Sequence, residues 1–218
     1  SLADTPITIC GAGALGGNLT ETLARMGARR LTVVDFDDVE ERNLSTQPYG
    51  RRDIGAPKAR VLAGDLYRAV GVEVDARLER LTADNVDELL GSAELVVDCF
   101  DNAASRRIVT DWASQTGTAC LHAGMGDGFA ECVWNEDYTV PQEGAGDVCD
   151  YPLARSLVLM TTGMAAELVA EFVADGHRRS VDMTIGDLRV AVHDDKSSPA
   201  PQGPQNFVQL GGWAGSIA

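Results

Sequence analysis

The sequence has few cysteines, and none of them forms a Cys-x-x-Cys pair. The five cysteines lie at positions 10, 99, 120, 132 and 149, and three of them fall inside apolar runs. An odd number of widely spaced cysteines is not the pattern of a disulfide framework or of a four-thiolate zinc site. We therefore expect reduced thiols, a cytoplasmic location and no bound zinc.

Positive charge is also scarce. The 218 residues include 18 Lys and Arg against 33 Asp and Glu, which gives a net charge of -15 at pH 7. We do not expect so acidic a chain to bind a nucleic-acid backbone or an anionic membrane surface. No uninterrupted apolar run reaches the roughly 20 residues of a membrane span, and no signal peptide is visible at the start.

Apolar segments with strand and helix periodicity alternate along the chain. Predicted strands cover 7–10, 31–36, 72–76, 94–100, 118–124 and 128–135, and predicted helices cover 14–27, 58–70, 83–91 and 103–117. Repeated strand–helix units favour a parallel sheet that is covered on both faces. The predicted fold class is therefore α/β, with a Rossmann-like, doubly wound, mainly parallel sheet.

The C-terminal part of the chain has a different pattern. A long apolar helix is expected at 157–173, and Gly186-Asp187 between two short apolar runs predicts a two-residue hairpin. This hairpin would add antiparallel edge strands to the sheet. We expect one domain over 1–193 and a Pro- and Gly-rich tail over 194–218.

A glycine-rich stretch directly follows the first predicted strand. It is Gly11-x-Gly13-x-x-Gly16, with Ala14 and Leu15 before the last glycine. Such glycines let the backbone approach a phosphate, which then faces the free N–H groups of the helix N-terminus. Asp35 ends the second strand 24 residues after Gly11, where an acid accepts hydrogen bonds from ribose hydroxyls. The pattern predicts a nucleotide site; the alternative is a tight turn beside a surface acid.

Acids and bases are dense after the second strand. Residues 33–60 read VVDFDDVEERNLSTQPYGRRDIGAPKAR and include Asp37, Asn43, Gln47 and Lys58. A solvated loop needs no such density, whereas a polyphosphate held together with a metal ion requires both signs of charge. Asp101 and Asn102 follow a later strand, at the end where open α/β sheets bind ligands.

Four ordered motifs resemble those of the ThiF/MoeB-type superfamily of adenylating enzymes, which are related to the activating enzymes of ubiquitin-like proteins. GAGALGG, VVDFDDVEERNLSTQ, GAPKA and VVDCFDN occur in the family's order, and the resemblance covers roughly residues 6–175. It implies an adenylyltransferase that uses ATP and Mg²⁺ and acts as a homodimer. The implied partner is a small ubiquitin-like or sulfur-carrier protein or peptide, whose C-terminal carboxylate is activated as an acyl-adenylate.

The resemblance also implies roles for individual residues. It assigns Asp35 to the ribose, Asn43 and Lys58 to the phosphates, and Asp101 to the magnesium ion and the reacting phosphate. The predicted nucleotide-binding set is Gly11, Gly13, Ala14, Leu15, Gly16, Asp35, Asp37, Asn43, Gln47, Lys58, Asp101 and Asn102. The predicted catalytic set is Lys58, Asp101, Asn43, Arg51, Arg52 and Cys149, with Asp101 as the metal ligand.

One position departs from the family's pattern. Thr46 stands where the family usually has an arginine, and Arg42, Arg51 and Arg52 are candidates to supply the missing charge, from the same chain or across a dimer interface. A degenerate, non-catalytic nucleotide-binding subunit is an alternative. An NAD-dependent oxidoreductase is another, although it leaves Lys58 and Asp101 without a role.

The role of Cys149 stays open at this stage. It lies 14 residues before Gly163, the spacing of a catalytic cysteine in some relatives, and it precedes the long apolar helix. A helix dipole favours a thiolate at this position, but Asp147 and Asp150 oppose it. Thioester or acyl-persulfide chemistry and a purely structural cysteine are both compatible with the pattern. His122 and Cys120 are expected in the core or at a sheet edge.

Overall fold

The computed structural model describes residues 1–141 and 151–194. The strands are β1 (Ile7–Cys10), β2 (Leu31–Val34), β3 (Val74–Arg77), β4 (Leu95–Asp98), β5 (Ala119–Gly126), β6 (Phe129–Trp134), β7 (Arg179–Thr184) and β8 (Arg189–Asp194). The α-helices are α1 (Ala14–Met26), α2 (Lys58–Val70), α3 (Val86–Leu90), α4 (Ala103–Thr116) and α5 (Arg155–Asp175). Short 3₁₀ turns cover Glu41–Ser45, Arg51–Asp53 and Pro152–Ala154.

All eight strands form one sheet in the order β3-β2-β1-β4-β5-β6-β7-β8. The strands from β3 to β5 are parallel, and β6, β7 and β8 are joined to them antiparallel. The predicted fold class is therefore confirmed. The order in which successive strands are added to the sheet reverses between β1 and β4, and ligands of open α/β sheets bind in the crevice outside such a switch point.

Apolar side chains cover both faces of the sheet. On one face Ile9, Val33 and Val97 pack in a cluster with residues of α1, α2 and α5. On the other face Cys10 and Val96 pack with residues of α3 and α4. Successive residues of a strand point to opposite faces, so continuous apolar strands are what a sheet buried on both sides requires.

Two parallel strands end earlier than the sequence predicted: Asp35 directly follows β2, and Asp98 is the last residue of β4. The Asp35 carboxylate accepts the backbone N–H of Asp37 at 2.8 Å, and the Asp98 carboxylate accepts that of Phe100 at 3.0 Å. This local bond turns the chain out of the sheet after β2 and after β4. Both turns enter the same crevice.

The predicted two-residue hairpin between β7 and β8 is wrong. Thr184 pairs with Arg189, so residues 185–188 form a four-residue connection. The Asp187 carboxylate accepts the hydroxyl of Thr184 and the backbone N–H of Arg189, which closes this longer loop.

Helix α5 corrects another expectation, that no segment is long and apolar enough to span a membrane. Residues Pro152–Asp175 pass that test by length and composition. In the structure, however, Val158, Ala165 and Val169 are buried in the same cluster as the β-strands. The core helix of a globular domain passes the same test, and 44% of the apolar window is buried in this structure.

Candidate nucleotide site

A cavity of about 810 Å³ opens at the carboxyl ends of the parallel strands. Its volume lies within the range of small-molecule sites. The cavity is lined by eleven of the twelve residues that the sequence predicted for nucleotide binding: Gly11, Gly13, Ala14, Leu15, Asp35, Asp37, Asn43, Gln47, Lys58, Asp101 and Asn102. The fold therefore brings the four separate motifs to one place.

Gly16 is the predicted residue that does not line the cavity. A Cβ atom at this position would lie 1.9 Å from the carbonyl oxygen of Gly11, so only glycine allows α1 to start this close to the loop. Gly11 has a φ of +96°, which other residues avoid. A Cβ atom at Gly13, in contrast, would meet no neighbouring atom within 4 Å and would face open space. The motif therefore combines loop geometry with one open approach for a ligand.

Two side chains fix the backbone of Ala12 inside the glycine loop. Asp35 accepts the N–H of Ala12 at 2.6 Å, and the Tyr49 hydroxyl donates to the carbonyl oxygen of Ala12 at 2.6 Å. Tyr49 was not predicted from the sequence, where its only signal is a lone aromatic residue in a polar stretch. Both contacts hold the loop in shape before any ligand binds.

Asp35 carries a buried carboxyl group at the floor of the site. Burial raises its pKa above the ordinary value, although the N–H groups of Ala12 and Asp37 and the charge of Lys58 act in the opposite direction. Each carboxylate oxygen has more than one lone pair, so these contacts leave capacity for a ribose hydroxyl. Asp35 lines the cavity, and its contact with a ribose stays a prediction.

Lys58 is a cation held inside the cavity wall, with only 7% of the residue exposed. Its backbone N–H donates to the carbonyl oxygen of Asp37 at 2.9 Å, and its Nζ lies 3.6 Å from the Asp37 carboxylate. It begins α2, where the helix dipole adds positive potential. A buried lysine at a helix N-terminus is a fitting partner for a polyphosphate.

Asn43 lies in the 3₁₀ turn that borders the cavity, and it is 2% exposed. Its side-chain oxygen accepts the backbone N–H of Glu40 at 2.8 Å, which makes the turn a rigid platform. The next residues of this turn are held by α1 and α5. Asn18 and Arg155 both donate to the carbonyl oxygen of Thr46, at 2.9 and 2.6 Å.

Thr46 itself is fully buried, and its hydroxyl oxygen has no hydrogen-bond partner among the described residues. The cation that contacts this position is Arg155, a residue more than one hundred positions away that no sequence motif indicated. Arg42 lines the cavity and pairs with Glu40 at 2.7 Å. Arg51 and Arg52 do not line it, and Arg52 lies near Asp53 and Asp65 instead.

Asp101 and Asn102 stand at the start of α4. Asn102 caps this helix by accepting the N–H of Ser105 at 2.8 Å, and its amide lies 3.4 Å from the Asp101 carboxylate. Asp101 is exposed in the cavity wall. Asn102 therefore has a structural task as well as its predicted ligand contact, and Asp101 presents a negative charge to the cavity.

The donor set around Asp101 bears on metal binding. Among residues 1–141 and 151–194, no group of three or more His, Cys, Asp or Glu side chains is arranged to hold a metal ion. Mg²⁺ commonly takes only one or two carboxylates and completes its shell with phosphate oxygens and water. Asp101 fits such a shared site, and it does not fit a cation held by protein alone.

The cavity continues past Asp101 toward β5 and β6. Arg106, buried at the base of α4, donates to the Tyr138 hydroxyl at 2.9 Å and to the carbonyl oxygen of Ala123 at 2.8 Å. Burial lowers the pKa of Arg106, but Asp98, Tyr138 and Cys99 together raise it by more, so the pKa is raised overall. The guanidinium group therefore stays charged beside the cavity.

A buried histidine supports this part of the cavity. His122 is fully buried, with Nδ1 2.8 Å from Asp98 Oδ2 and Nε2 2.8 Å from Asn135 Oδ1. Its ring stacks on Tyr138 at 3.8 Å. The prediction that His122 and Cys120 are core or edge residues is confirmed. Cys149, whose role the sequence left open, lies outside the described residues.

Comparison with known proteins places the fold and the motifs in one family. The ThiF family pattern matches residues 1–173 of the 218. A sulfur carrier protein adenylyltransferase of Thermus thermophilus is 40% identical over 114 residues, which are 51% of this chain and 42% of that protein. A SAMP-activating enzyme E1 of Haloferax volcanii is 34% identical over 129 residues, or 57% of this chain and 47% of that protein. The matches thus span less than half of either relative.

A solved structure agrees with the fold. The crystal structure of E. coli MccB with MccA-N7isoASN has a TM-score of 0.75 and 16% identity, and it matches 92% of this chain and 67% of that one. At this identity the likeness shows the fold alone. The family match, in contrast, covers most of the sequence, including the glycine loop, the acidic strand end and the lysine at the start of α2. The chain belongs to the ThiF family.

Proposed function

We propose that this chain is an ATP-dependent adenylyltransferase. It activates the C-terminal carboxylate of a small ubiquitin-like or sulfur-carrier protein or peptide as an acyl-adenylate. The observation that carries the proposal is the convergence of a glycine loop, a buried lysine and two aspartates on one cavity. Family membership and the names of the relatives support the reaction class.

The residues of the cavity fit the two halves of ATP. Asp35, at the end of β2, accepts from the ribose, and the glycine loop with the N-terminus of α1 faces the phosphates. Lys58, which lines the same cavity, neutralises phosphate charge. Asp101 would help to hold a Mg²⁺ ion, which would supply further charge neutralisation.

The chemistry needs charge neutralisation and positioning rather than a base. A carboxylate oxygen of the acceptor attacks the α-phosphorus, a new P–O bond forms, and the bond to the β-phosphate oxygen breaks. Pyrophosphate leaves with that electron pair, and no proton is transferred. Because two anions must approach each other, Lys58 and the backbone N–H groups contribute by stabilising the negative charge at the transferred phosphorus.

The direct test is ATP–pyrophosphate exchange with purified candidate acceptor proteins. Exchange of labelled pyrophosphate that depends on both an acceptor and Mg²⁺ would support the reaction. An acceptor with a C-terminal carboxamide is the matched control, because it lacks the reacting carboxylate. ATP binding without exchange for any acceptor would favour the alternative of a non-catalytic partner subunit, which Thr46 keeps open.

Several further features belong to the same proposal. We propose a homodimer, a cytoplasmic location and no zinc. Elemental analysis of the purified protein should find fewer than about one zinc per ten chains, since thiolate pairs are the usual structural ligands of zinc in proteins. Stoichiometric zinc would refute this part. An NAD-dependent oxidoreductase is disfavoured because a buried Lys58 beside Asp37 suits a triphosphate and has no task in hydride transfer.

A further inference from the structure

The predicted nucleotide residues account for only one side of the cavity. We name the other side the distal arm and define it by Arg106, Gly124, Glu131 and Tyr138, which all line the same cavity. Gly124 and Glu131 belong to β5 and β6, beyond β4 in the sheet. The order across the sheet is thus Asp35, the glycine loop, Asp101 and then the distal arm.

This order indicates where the distal arm lies relative to the reacting phosphate. The ribose acid follows β2, the phosphate loop follows β1, and Asp101 follows β4. Neighbouring strands are about 4.8 Å apart, so β5 lies one step past the reacting phosphate. A group joined to that phosphate on the side away from the ribose therefore faces the distal arm. Under the proposed function, on which this inference rests, that group is the acyl end of the acceptor.

Tyr138 brings a polar group into this arm. Arg106 donates to its hydroxyl oxygen at 2.9 Å, and because a guanidinium group only donates, the phenol oxygen acts as the acceptor. The hydroxyl hydrogen is not used in that contact. Burial raises the pKa of Tyr138, although Arg106 lowers it in part, so the group keeps its proton near neutral pH.

The position of the hydroxyl is fixed from two sides. The Tyr138 ring stacks on the His122 ring with an interplanar angle of 5°, and His122 is anchored by Asp98 and Asn135. Arg106 is anchored by the carbonyl oxygen of Ala123. Gly124 adds no side chain next to Arg106, where its Cβ would lie 3.6 Å from a guanidinium nitrogen. Tyr138 therefore lines the cavity with a hydroxyl that is held in place before a ligand binds.

We propose that the Tyr138 hydroxyl, held by Arg106, donates a hydrogen bond to the acyl oxygen of the acceptor's terminal residue. Tyr138 is then a substrate-contacting residue that recognises the carboxyl group rather than the nucleotide. His122 and Arg106 are positioning residues that act through it.

The test compares the affinity for the nucleotide alone with the affinity for a nucleotide that carries an acyl group. Wild type and Tyr138→Phe are titrated calorimetrically with AMP and with 5′-O-(N-glycyl)sulfamoyladenosine, a stable mimic of an acyl-adenylate. Phenylalanine keeps the ring that stacks on His122, and thermal unfolding of both proteins verifies that the fold is unchanged. Tyr67→Phe is the matched control, because Tyr67 is 59% exposed on α2.

We expect Tyr138→Phe to weaken binding of the acyl mimic by about tenfold and binding of AMP by less than about twofold, the scale of one lost hydrogen bond. Tyr67→Phe should bind both ligands like wild type. If Tyr138→Phe binds both ligands equally more weakly, or binds both like wild type, the proposed role of Tyr138 is wrong. The proposed adenylation activity would not be affected by that result. If wild type binds neither AMP nor the mimic, the proposed function fails, and the role of Tyr138 fails with it.

Discussion

At the scale of single residues, the site depends on charges that differ in how firmly they are held. Lys58 is buried and fixed through its backbone, whereas Asp101 is exposed at the start of α4. A buried charge is tied to the fold, and its replacement disturbs both structure and binding. An exposed carboxylate at a cavity wall can be changed with little effect on folding, which makes Asp101 the cleaner probe of the reaction.

Asp101→Asn should keep the fold and lose the reaction. The amide has the same shape but no charge, so it cannot share a magnesium ion with the phosphates. We expect pyrophosphate exchange to fall by roughly 10²-fold or more, while the melting temperature stays nearly unchanged. Asp111→Asn, an exposed aspartate on the same helix, is the control and should retain full exchange. Near-normal exchange in Asp101→Asn would show that this carboxylate has no part in the chemistry.

The arginine missing at position 46 can be tested by comparing two nearby arginines. Arg42 lines the cavity, whereas Arg52 lies near Asp53 and Asp65 outside it. We expect Arg42→Ala to raise the KM for ATP or lower turnover by about tenfold, near 1.4 kcal/mol. Arg52→Ala should have little effect. Steady-state exchange kinetics of both variants test this prediction. If neither variant differs from wild type while Lys58→Ala is inactive, Arg42 does not supply the charge that is missing at position 46.

At the scale of elements, the glycine loop shows what sequence patterns can and cannot predict. The strand, the loop and the helix were predicted nearly to the residue, because their apolar periodicity and glycine positions are local properties. The sequence could not predict which glycine is required for close packing and which leaves space for a ligand. It depends on the distance between Gly16 and the carbonyl oxygen of Gly11 after the chain has turned.

The same limit applies to contacts between distant segments. Tyr49 and Arg155 both hold parts of the site, and neither belongs to a motif. The four-residue loop after β7 depends on how Asp187 bonds to Thr184 and Arg189 in the paired strands. Local signals therefore predicted which elements form, and the partners of single polar groups followed only from their packing.

Two alanine substitutions should distinguish the glycine that is needed for fold stability from the one that is needed for ATP binding. Gly16→Ala would push a methyl group against the carbonyl oxygen of Gly11, and we expect it to destabilise the fold by about 3 kcal/mol or more. Gly13→Ala has open space around the new methyl group, so the free energy of unfolding should change by less than about 1 kcal/mol. Because that space is the phosphate side of the cavity, Gly13→Ala should still weaken ATP binding by about tenfold. Urea unfolding and calorimetry measure the two effects, and similar stabilities of both variants would contradict this division.

At the scale of the whole molecule, the last α-helix takes part in shaping the site built by the first half of the chain. Arg155 begins α5 and donates to the carbonyl oxygen of Thr46, while Nη1 also lies 3.2 Å from the Asn18 side-chain oxygen on α1. One side chain thus ties α5, α1 and the Asn43-bearing turn together. At position 46, where the sequence resemblance implies an arginine, this chain has Thr46, and Arg155 reaches its carbonyl oxygen from another element.

This connection predicts that Arg155 affects the nucleotide without touching the cavity, whose lining does not include it. Arg155→Ala removes a charged donor from a buried carbonyl group, which corresponds to about 1.5–3 kcal/mol, or a decrease in melting temperature of several degrees. If the turn loosens, Asn43 and Gln47 lose their fixed positions, and the KM for ATP should rise by about fivefold or more. Arg155→Lys, which keeps one donor, should recover part of both losses, whereas Arg107→Ala on the exposed side of α4 should change neither. A lower melting temperature with an unchanged KM for ATP, measured well below the unfolding transition, would mean that Arg155 stabilises the fold without positioning the site.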